Sequence, residues 1–226
     1  VKKAMDLLVN EGLVVKRRGA GTFVKNITLK TDSEYPYSTS NQFSGFANTE
    51  GHTHVTSMVH DFQVVPANKE VAARLKIEEG DFVTMDTGCV VDGYMSDMTR
   101  TVAVGHVSDE QRRVYETVLA AQQAAIAAVR PGVRCSDVDK AARDIIEKDY
   151  PGTFGHSTGH GVGVQIHEYP RFSKSDATLA RPGMVVTVEP GIYLEGKFGV
   201  RIEDMVLVTE DGCRDLTHSP KELIIL

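Results

Sequence analysis

The sequence has no apolar run near the roughly 18 residues that a membrane-spanning helix needs. No signal-peptide pattern opens it, and no long internal repeat or low-complexity tract interrupts it. Cysteine is scarce: Cys89, Cys135 and Cys213 are odd in number and far apart, with neither zinc-finger nor redox spacing. Such cysteine usage suits a reducing compartment. These absences together predict a soluble, cytoplasmic protein without a membrane partner. The 226 residues are 41% hydrophobic and 25% charged, which supplies a core and excludes disorder as the dominant state. Such a length makes one large domain or two modest ones.

Charge is unevenly spread. The chain carries 25 Lys+Arg and 31 Asp+Glu, a net −6. Within residues 1–30, seven basic side chains face two acidic ones, a net +5 that leaves −11 for the other 196 residues. An asymmetry of this kind points to a nucleic-acid-facing terminus joined to something else.

Residues 1–11 have the three/four spacing of an amphipathic helix in Ala4, Leu7, Leu8 and Glu11, with Gly12 as its stop. Two short β-type runs follow, Leu13–Lys16 and Thr22–Lys25, around Arg17-Arg18-Gly19-Ala20-Gly21. Helix then basic hairpin is the back half of a winged helix; a surface hairpin with solvated charges fits the same spacing. Residues 28–55 are polar and rich in Ser, Thr and Asn, as linkers are. Thr56–Val65 reads as a strand and Asn68–Leu75 as a short helix.

The stretch Val1–Val24 resembles the recognition helix and wing of GntR-family bacterial transcription regulators. Phe43-Ser44-Gly45-Phe46, Thr56-Ser57-Met58-Val59, Phe62–Ala67 and Glu70–Ile77 resemble the opening of the UTRA-type effector domain found in one branch of that family. The resemblance implies a DNA-binding regulator answering to a small effector, with residues 1–25 as the nucleic-acid contact. The first two helices of a winged helix and the second half of the effector domain have no counterpart here.

After Gly80 the texture changes to strands, then helices, then strands, an α+β order. Phe82–Val91 and Tyr94–Val104 flank Asp92-Gly93, the strongest short hairpin signal. Ser108 caps a helix striped by Val114, Val118, Ala121, Ala125 and Val129 and ended by Pro131-Gly132. A second helix, with Ser136 as its cap, runs to Pro151-Gly152. Glycine-dotted strands follow at Gly159–Ile166, Met184–Glu189, Gly191–Leu194, Val200–Thr209 and Leu223–Leu226.

Acidic residues inside these apolar runs carry the information, because Asp is disfavoured in strand interiors. With a two-residue turn, Asp97 would face Gly88 and lie diagonal to Asp86, with Cα atoms about 7–8 Å apart. Bare, the pair would repel; a divalent cation between them removes the repulsion, and exposure to solvent on both is the alternative. Glu189 and Glu203 end two runs around the turn-like Glu195-Gly196-Lys197, so an antiparallel hairpin would bring them together, or expose them. His160 lies in Gly155–Gly163, where flanking glycines let the backbone come close to a site and imidazole is a common ligand; a structural histidine is the alternative. Four carboxylates and one imidazole balance two divalent cations, and so oxygen-rich a set suits Mn²⁺, with Co²⁺, Fe²⁺ or Zn²⁺ also able to bind. Two such ions can share a hydroxide and clamp a tetrahedral intermediate.

Five blocks occur in order: Asp86-Thr87-Gly88, Gly93–Thr101, His156–Gly163 with His167-Glu168-Tyr169-Pro170, Glu189-Pro190-Gly191-Ile192-Tyr193, and Val200-Arg201-Ile202-Glu203-Asp204. They make residues 80–226 similar to the C-terminal catalytic part of the pita-bread metallopeptidases, above all bacterial Xaa-Pro dipeptidases and Xaa-Pro aminopeptidases. The resemblance implies two metal ions held by Asp86, Asp97, His160, Glu189 and Glu203, with Glu189 also the general base. It implies that His156 and His167 bind substrate and stabilise the intermediate, and that Tyr193 and Arg201 support the site. The implied substrate is a small peptide with proline at its second position, and a homodimer is admitted. The family's segment before the first Asp, with its additional active-site histidine, is not recognisable before residue 80; His52, His54 and His60 are not assigned that role. The expectation is therefore a chimera of a winged-helix end (1–27), a partial effector segment (28–79) and a partial pita-bread (creatinase/aminopeptidase-like) catalytic domain (80–226), with activity impaired by the missing half. A pita-bread binding module without catalysis is a third reading.

Overall fold

The computed structural model describes residues 14–17, 21–24 and 75–226. The chain divides into two units, Val1–Val64 and Val65–Leu226. In the first, β1 (Val14–Arg17) and β2 (Gly21–Val24) form an antiparallel hairpin with Val14 opposite Val24 and Arg17 opposite Gly21. The expected helices over 1–11 and Asn68–Leu75, the strand Thr56–Val65 and the linker over 28–55 lie outside the described residues, save Leu75 itself.

In the second unit, β3 (Phe82–Thr87) pairs antiparallel with β6 (Met98–Ala103), from Phe82 opposite Ala103 to Thr87 opposite Met98. The short strands β4 (Val90–Val91) and β5 (Tyr94–Met95) continue the hairpin to its tip. There Asp92 and Gly93 both have positive φ, 51° and 84°, as the expected tight turn requires. The hairpin breaks between these two ladders. A Cβ on Gly88 would lie 2.1 Å from the Ser96 carbonyl oxygen, so only glycine lets the strands approach there. Asp97 therefore sits in the break rather than inside a strand.

Helix α1 (Asp109–Ala128) starts as expected at Ser108, in a reciprocal capping box with Gln111. Helix α2 (Cys135–Asp149) differs: Arg134 is its cap residue and makes no side-chain cap bond. The Cys135 and Ser136 amides donate instead to the carbonyls of Thr178 and Asp176, both at 2.9 Å, so a distant segment does the work expected of the Ser136 hydroxyl.

The main sheet has five strands in the order β13-β12-β9-β7-β8: β7 (Gly159–Gly161), β8 (Glu168–Phe172), β9 (Val185–Val188), β12 (Asp204–Val208) and β13 (Cys213–Asp215). A separate hairpin joins β10 (Gly191–Leu194) to β11 (Phe198–Arg201). Val114, Val118 and Ala121 of α1 and Val138, Ala142 and Ile146 of α2 bury their stripes in one core with Val186, Val188, Ile192, Val200 and Val206. Each buried valine or isoleucine among them contributes about 1.5–3 kcal/mol. The C-terminal residues, expected as a strand, make one parallel bridge, Ile225 beside Ala103. No described helix is long and apolar enough to cross a membrane.

Candidate metal centre

The site lies where β7, the end of β9, the start of β12 and the hairpin break meet. His160 is the middle residue of β7 and is buried. Its flanking glycines have a steric reason nearer than a ligand. A Cβ on Gly159 would stand 1.9 Å from the Thr187 carbonyl oxygen, and one on Gly161 would stand 2.6 Å from that of Tyr169. The glycines thus let β7 close against its neighbours, and that closure sets the imidazole. Nδ1 of His160 lies 2.9 Å from the Gly161 carbonyl, which can only accept, so Nδ1 carries a hydrogen and Nε2 faces the site.

Nε2 of His160 meets Glu189 Oε1 at 3.2 Å and Asp97 Oδ2 at 3.7 Å. One donor atom each from Asp97, His160 and Glu203 lie within 4.8 Å of one another, all three residues buried. The β10–β11 hairpin turns at residues 195–197 as expected, so Glu189 and Glu203 flank its open end. Glu203 also bridges to β6, its amide donating to the Thr99 carbonyl at 3.1 Å. Thr99 Oγ1 donates to Glu203 Oε2 at 2.6 Å, whereas Glu203 Oε1 is buried with no hydrogen-bond partner among the described residues.

Electrostatics match this crowding. Burial, reinforced by Asp86, pushes the Asp97 carboxyl up to about 7. Burial and then the Glu189 and Asp97 charges hold Glu203 well above the usual carboxylate range. For Glu189 burial acts upward too, but the hydrogen bond and charge of His160, with His156 and Arg201, hold it low. Burial alone would lower His160, yet the Glu189 hydrogen bond and charge raise it. The His160 Nε2 thus stands among carboxylates in a place that a cation also fits. The orphaned Glu203 oxygen and the oxygen-rich donor set are what a divalent metal requires.

The other expected residues divide. Asp86 lies outside that triangle: its side chain is 45% exposed, and its Oδ2 accepts from Arg201 Nη2 at 2.7 Å. Its charge still reaches Asp97. Arg201 Nη1 donates to Tyr193 Oη at 2.9 Å, and Tyr193 Oη lies 2.9 Å from His156 Nε2. Since His156 Nδ1 faces the Ser157 carbonyl at 2.8 Å, Nδ1 bears the hydrogen and Nε2 accepts from Tyr193. Burial lowers the His156 pKa. His167 packs edge-on against His160, ring centres 4.4 Å apart, and its pKa falls through burial and the His160 charge.

Three supporting residues carried no assignment from sequence. Thr99 fixes Glu203. Thr187 Oγ1 accepts from the His160 amide at 3.0 Å and donates to Glu189 Oε1 at 3.2 Å. Buried Arg100 binds the Thr99 and Glu203 carbonyls at 2.9 and 2.7 Å and Asp204 Oδ1 at 2.7 Å. Thr99 and Arg100 stand inside a recognised block, but a hydroxyl or guanidinium in a strand gives no sign of what it will reach.

Comparison with known proteins agrees with this geometry. The model of metallopeptidase family M24 matches residues 23–210. An uncharacterized peptidase of Bacillus subtilis is 52% identical over 157 residues, 69% of this chain and 44% of that protein. The Xaa-Pro dipeptidase of Pyrococcus furiosus is 49% identical over 155 residues, 68% of this chain and 44% of that protein. The solved Xaa-Pro dipeptidase from Bacillus anthracis superposes with a TM-score of 0.65 at 52% identity, over 66% of this chain and 42% of the other. The fold of that part is accordingly the pita-bread fold, and the chain spans less than half the length of these relatives. With most of its length matched and with buried carboxylates and an imidazole gathered for a divalent metal, the chain belongs to metallopeptidase family M24.

Proposed function

We propose that the protein hydrolyses Xaa-Pro peptide bonds, and that Asp86, Asp97, His160, Glu189 and Glu203 hold two divalent ions, with Mn²⁺ best suited to the oxygen-rich set. When bound, such ions neutralise the carboxylates and polarise both the scissile carbonyl and the attacking water. Glu189 accepts the proton of that water at a carboxylate oxygen and returns it to the proline nitrogen as the C–N bond breaks. The departing imino nitrogen bears no hydrogen in the peptide, so this delivered proton completes the leaving amine. His167 offers a hydrogen bond to the developing oxyanion, and His156, its ring nitrogens engaged by the Ser157 carbonyl and Tyr193 Oη, binds the substrate beside it. Tyr193 and Arg201 hold the His156 ring.

The observation that carries this reading is the buried Asp97–His160–Glu203 triangle with its unpartnered Glu203 oxygen. Its test is hydrolysis of a short Xaa-Pro peptide with and without added Mn²⁺, for the native protein and for Glu189→Gln. Metal-dependent turnover lost in the variant supports it. Turnover unchanged by Glu189→Gln would mean a contaminating activity.

We divide the chain at residues 27 and 79 on composition and motifs; the family match begins at residue 23 and so overlaps the middle segment. We place the protein in the cytoplasm, with a small peptide as partner and homodimerisation compatible. A second reading, a nucleic-acid contact through residues 1–25 of a GntR-like fragment, is favoured by the +5 charge of residues 1–30 and the β1–β2 hairpin. Affinity for duplex DNA should then fall steeply with salt, and no binding at low salt would end it.

A further inference from the structure

Helix α2 carries an ion pair that the proposed chemistry does not use. Asp139 and Arg143, one turn apart, are both buried, with Arg143 Nε to Asp139 Oδ2 at 2.8 Å and Nη2 to Oδ1 at 2.9 Å. Removing two charges from water is expensive, and a buried pair is often no better for stability than packed apolar side chains. Stability alone is therefore a poor reason for these residues.

Both direct their remaining hydrogen bonds at one loop. Arg143 Nη1 donates to the Phe154 carbonyl and Nη2 to the His156 carbonyl, each at 2.8 Å. The guanidinium also lies 4.1 Å from the centre of the Phe154 ring, which meets the His156 ring edge-on at 5.0 Å. Asp139 Oδ1 accepts from Thr158 Oγ1 at 2.9 Å and from the Thr158 amide at 3.2 Å. The Thr158 carbonyl in turn accepts from the Glu189 amide at 2.7 Å. One helical ion pair thus grips His156 from one side and, through Thr158, the backbone of Glu189 from the other.

We propose that Asp139 and Arg143 are positioning residues that set His156 and Glu189 for the reaction, an inference that rests on the hydrolase reading above. The arginine fork is essential to it. Two separate carbonyls and a carboxylate are held by one planar group, and a lysine ammonium cannot span them.

The test compares the native protein with R143K and H156A, singly and together, on a Xaa-Pro peptide with Mn²⁺. R143K should lower kcat by about 10- to 100-fold with little change in KM, as outer-shell substitutions do. In the H156A background the same change should cost far less, because the two residues act as a unit. In parallel, the His156 ring nitrogen signals of the metal-free protein, identified by their loss in H156A, should shift in R143K. Thermal unfolding reveals a variant that has failed to fold, and D139N, which keeps an acceptor for Thr158 without the charge, then replaces R143K. Additive losses in the two backgrounds, or ring signals unmoved by R143K, would overturn the proposal. If the native protein cleaves no Xaa-Pro peptide the hydrolase reading falls, and the ring signals alone decide whether Arg143 sets His156.

Discussion

Replacing Arg100 with methionine probes the support beneath the site while leaving every expected ligand side chain in place. Arg100 is only 7% exposed, and its guanidinium makes five hydrogen bonds: to the carbonyls of Thr99, Glu203, Ser219 and Pro220, and to Asp204 Oδ1. Methionine keeps much of the volume and removes every donor. Losing one partner of a buried ion pair costs about 3–5 kcal/mol. Asp204 is not left alone, because Gln122 Nε2 donates to its Oδ2 at 2.6 Å and Lys221 pairs with the same oxygen. The lower end, about 3 kcal/mol, is therefore expected. For a domain of this size that is a fall of about 6–12 °C in Tm. It also lowers the urea midpoint without changing its slope, because the unfolded state is the same. Arg100→Lys, which keeps a charge for Asp204, should lose less. A methionine variant within about 0.5 kcal/mol of the native protein, the range of ordinary surface changes, would refute this account of the Arg100 network.

Glu203→Gln should leave the metal-free protein at least as stable, because the amide imitates the protonated carboxyl that burial favours, while abolishing most of the Mn²⁺-induced rise in Tm; parallel thermal scans check both. In metal-free protein the folded state keeps a proton on Asp97 from about pH 4, where the unfolded chain releases it, up to its raised value of about 7. The folded state then binds more protons than the unfolded, so stability falls as pH rises through that window, and Glu203, raised from 4.5, and His160, raised from 6.5, add the same sign from those values upward. Urea midpoints at about pH 5 and about pH 8 should show the fall, and Mn²⁺ should reverse it. Gly159→Ala places a Cβ against the Thr187 carbonyl and should cost about 1–3 kcal/mol or more, together with metal affinity, read by unfolding and metal titration.

Much of this was legible beforehand because it rests on local chemistry. Asp92-Gly93 fixed the hairpin register, and Asp86 does face Thr99 in it. Ser108 capped its helix as a capping residue should. What the sequence hid depends on distant parts of the chain. Asp97 leaves the ladder because Gly88 packs against the Ser96 carbonyl, a contact no spacing encodes. The cap of α2 comes from carbonyls forty residues onward rather than from Ser136. Asp86 turns toward Arg201, outside the Asp97–His160–Glu203 triangle, because a guanidinium is available there. The glycines beside His160 answer to neighbouring strands. Thr99, Thr187 and Arg100 are polar residues whose partners become visible only once the strands are in place.

Whether these carboxylates and one imidazole converge on a pair of cations is decided by counting metal on purified protein dialysed against Mn²⁺. About two ions per chain should be bound, displaced by excess chelator and sharply reduced in His160→Ala. Protein that binds no Mn, Co, Fe or Zn even after reconstitution would contradict it.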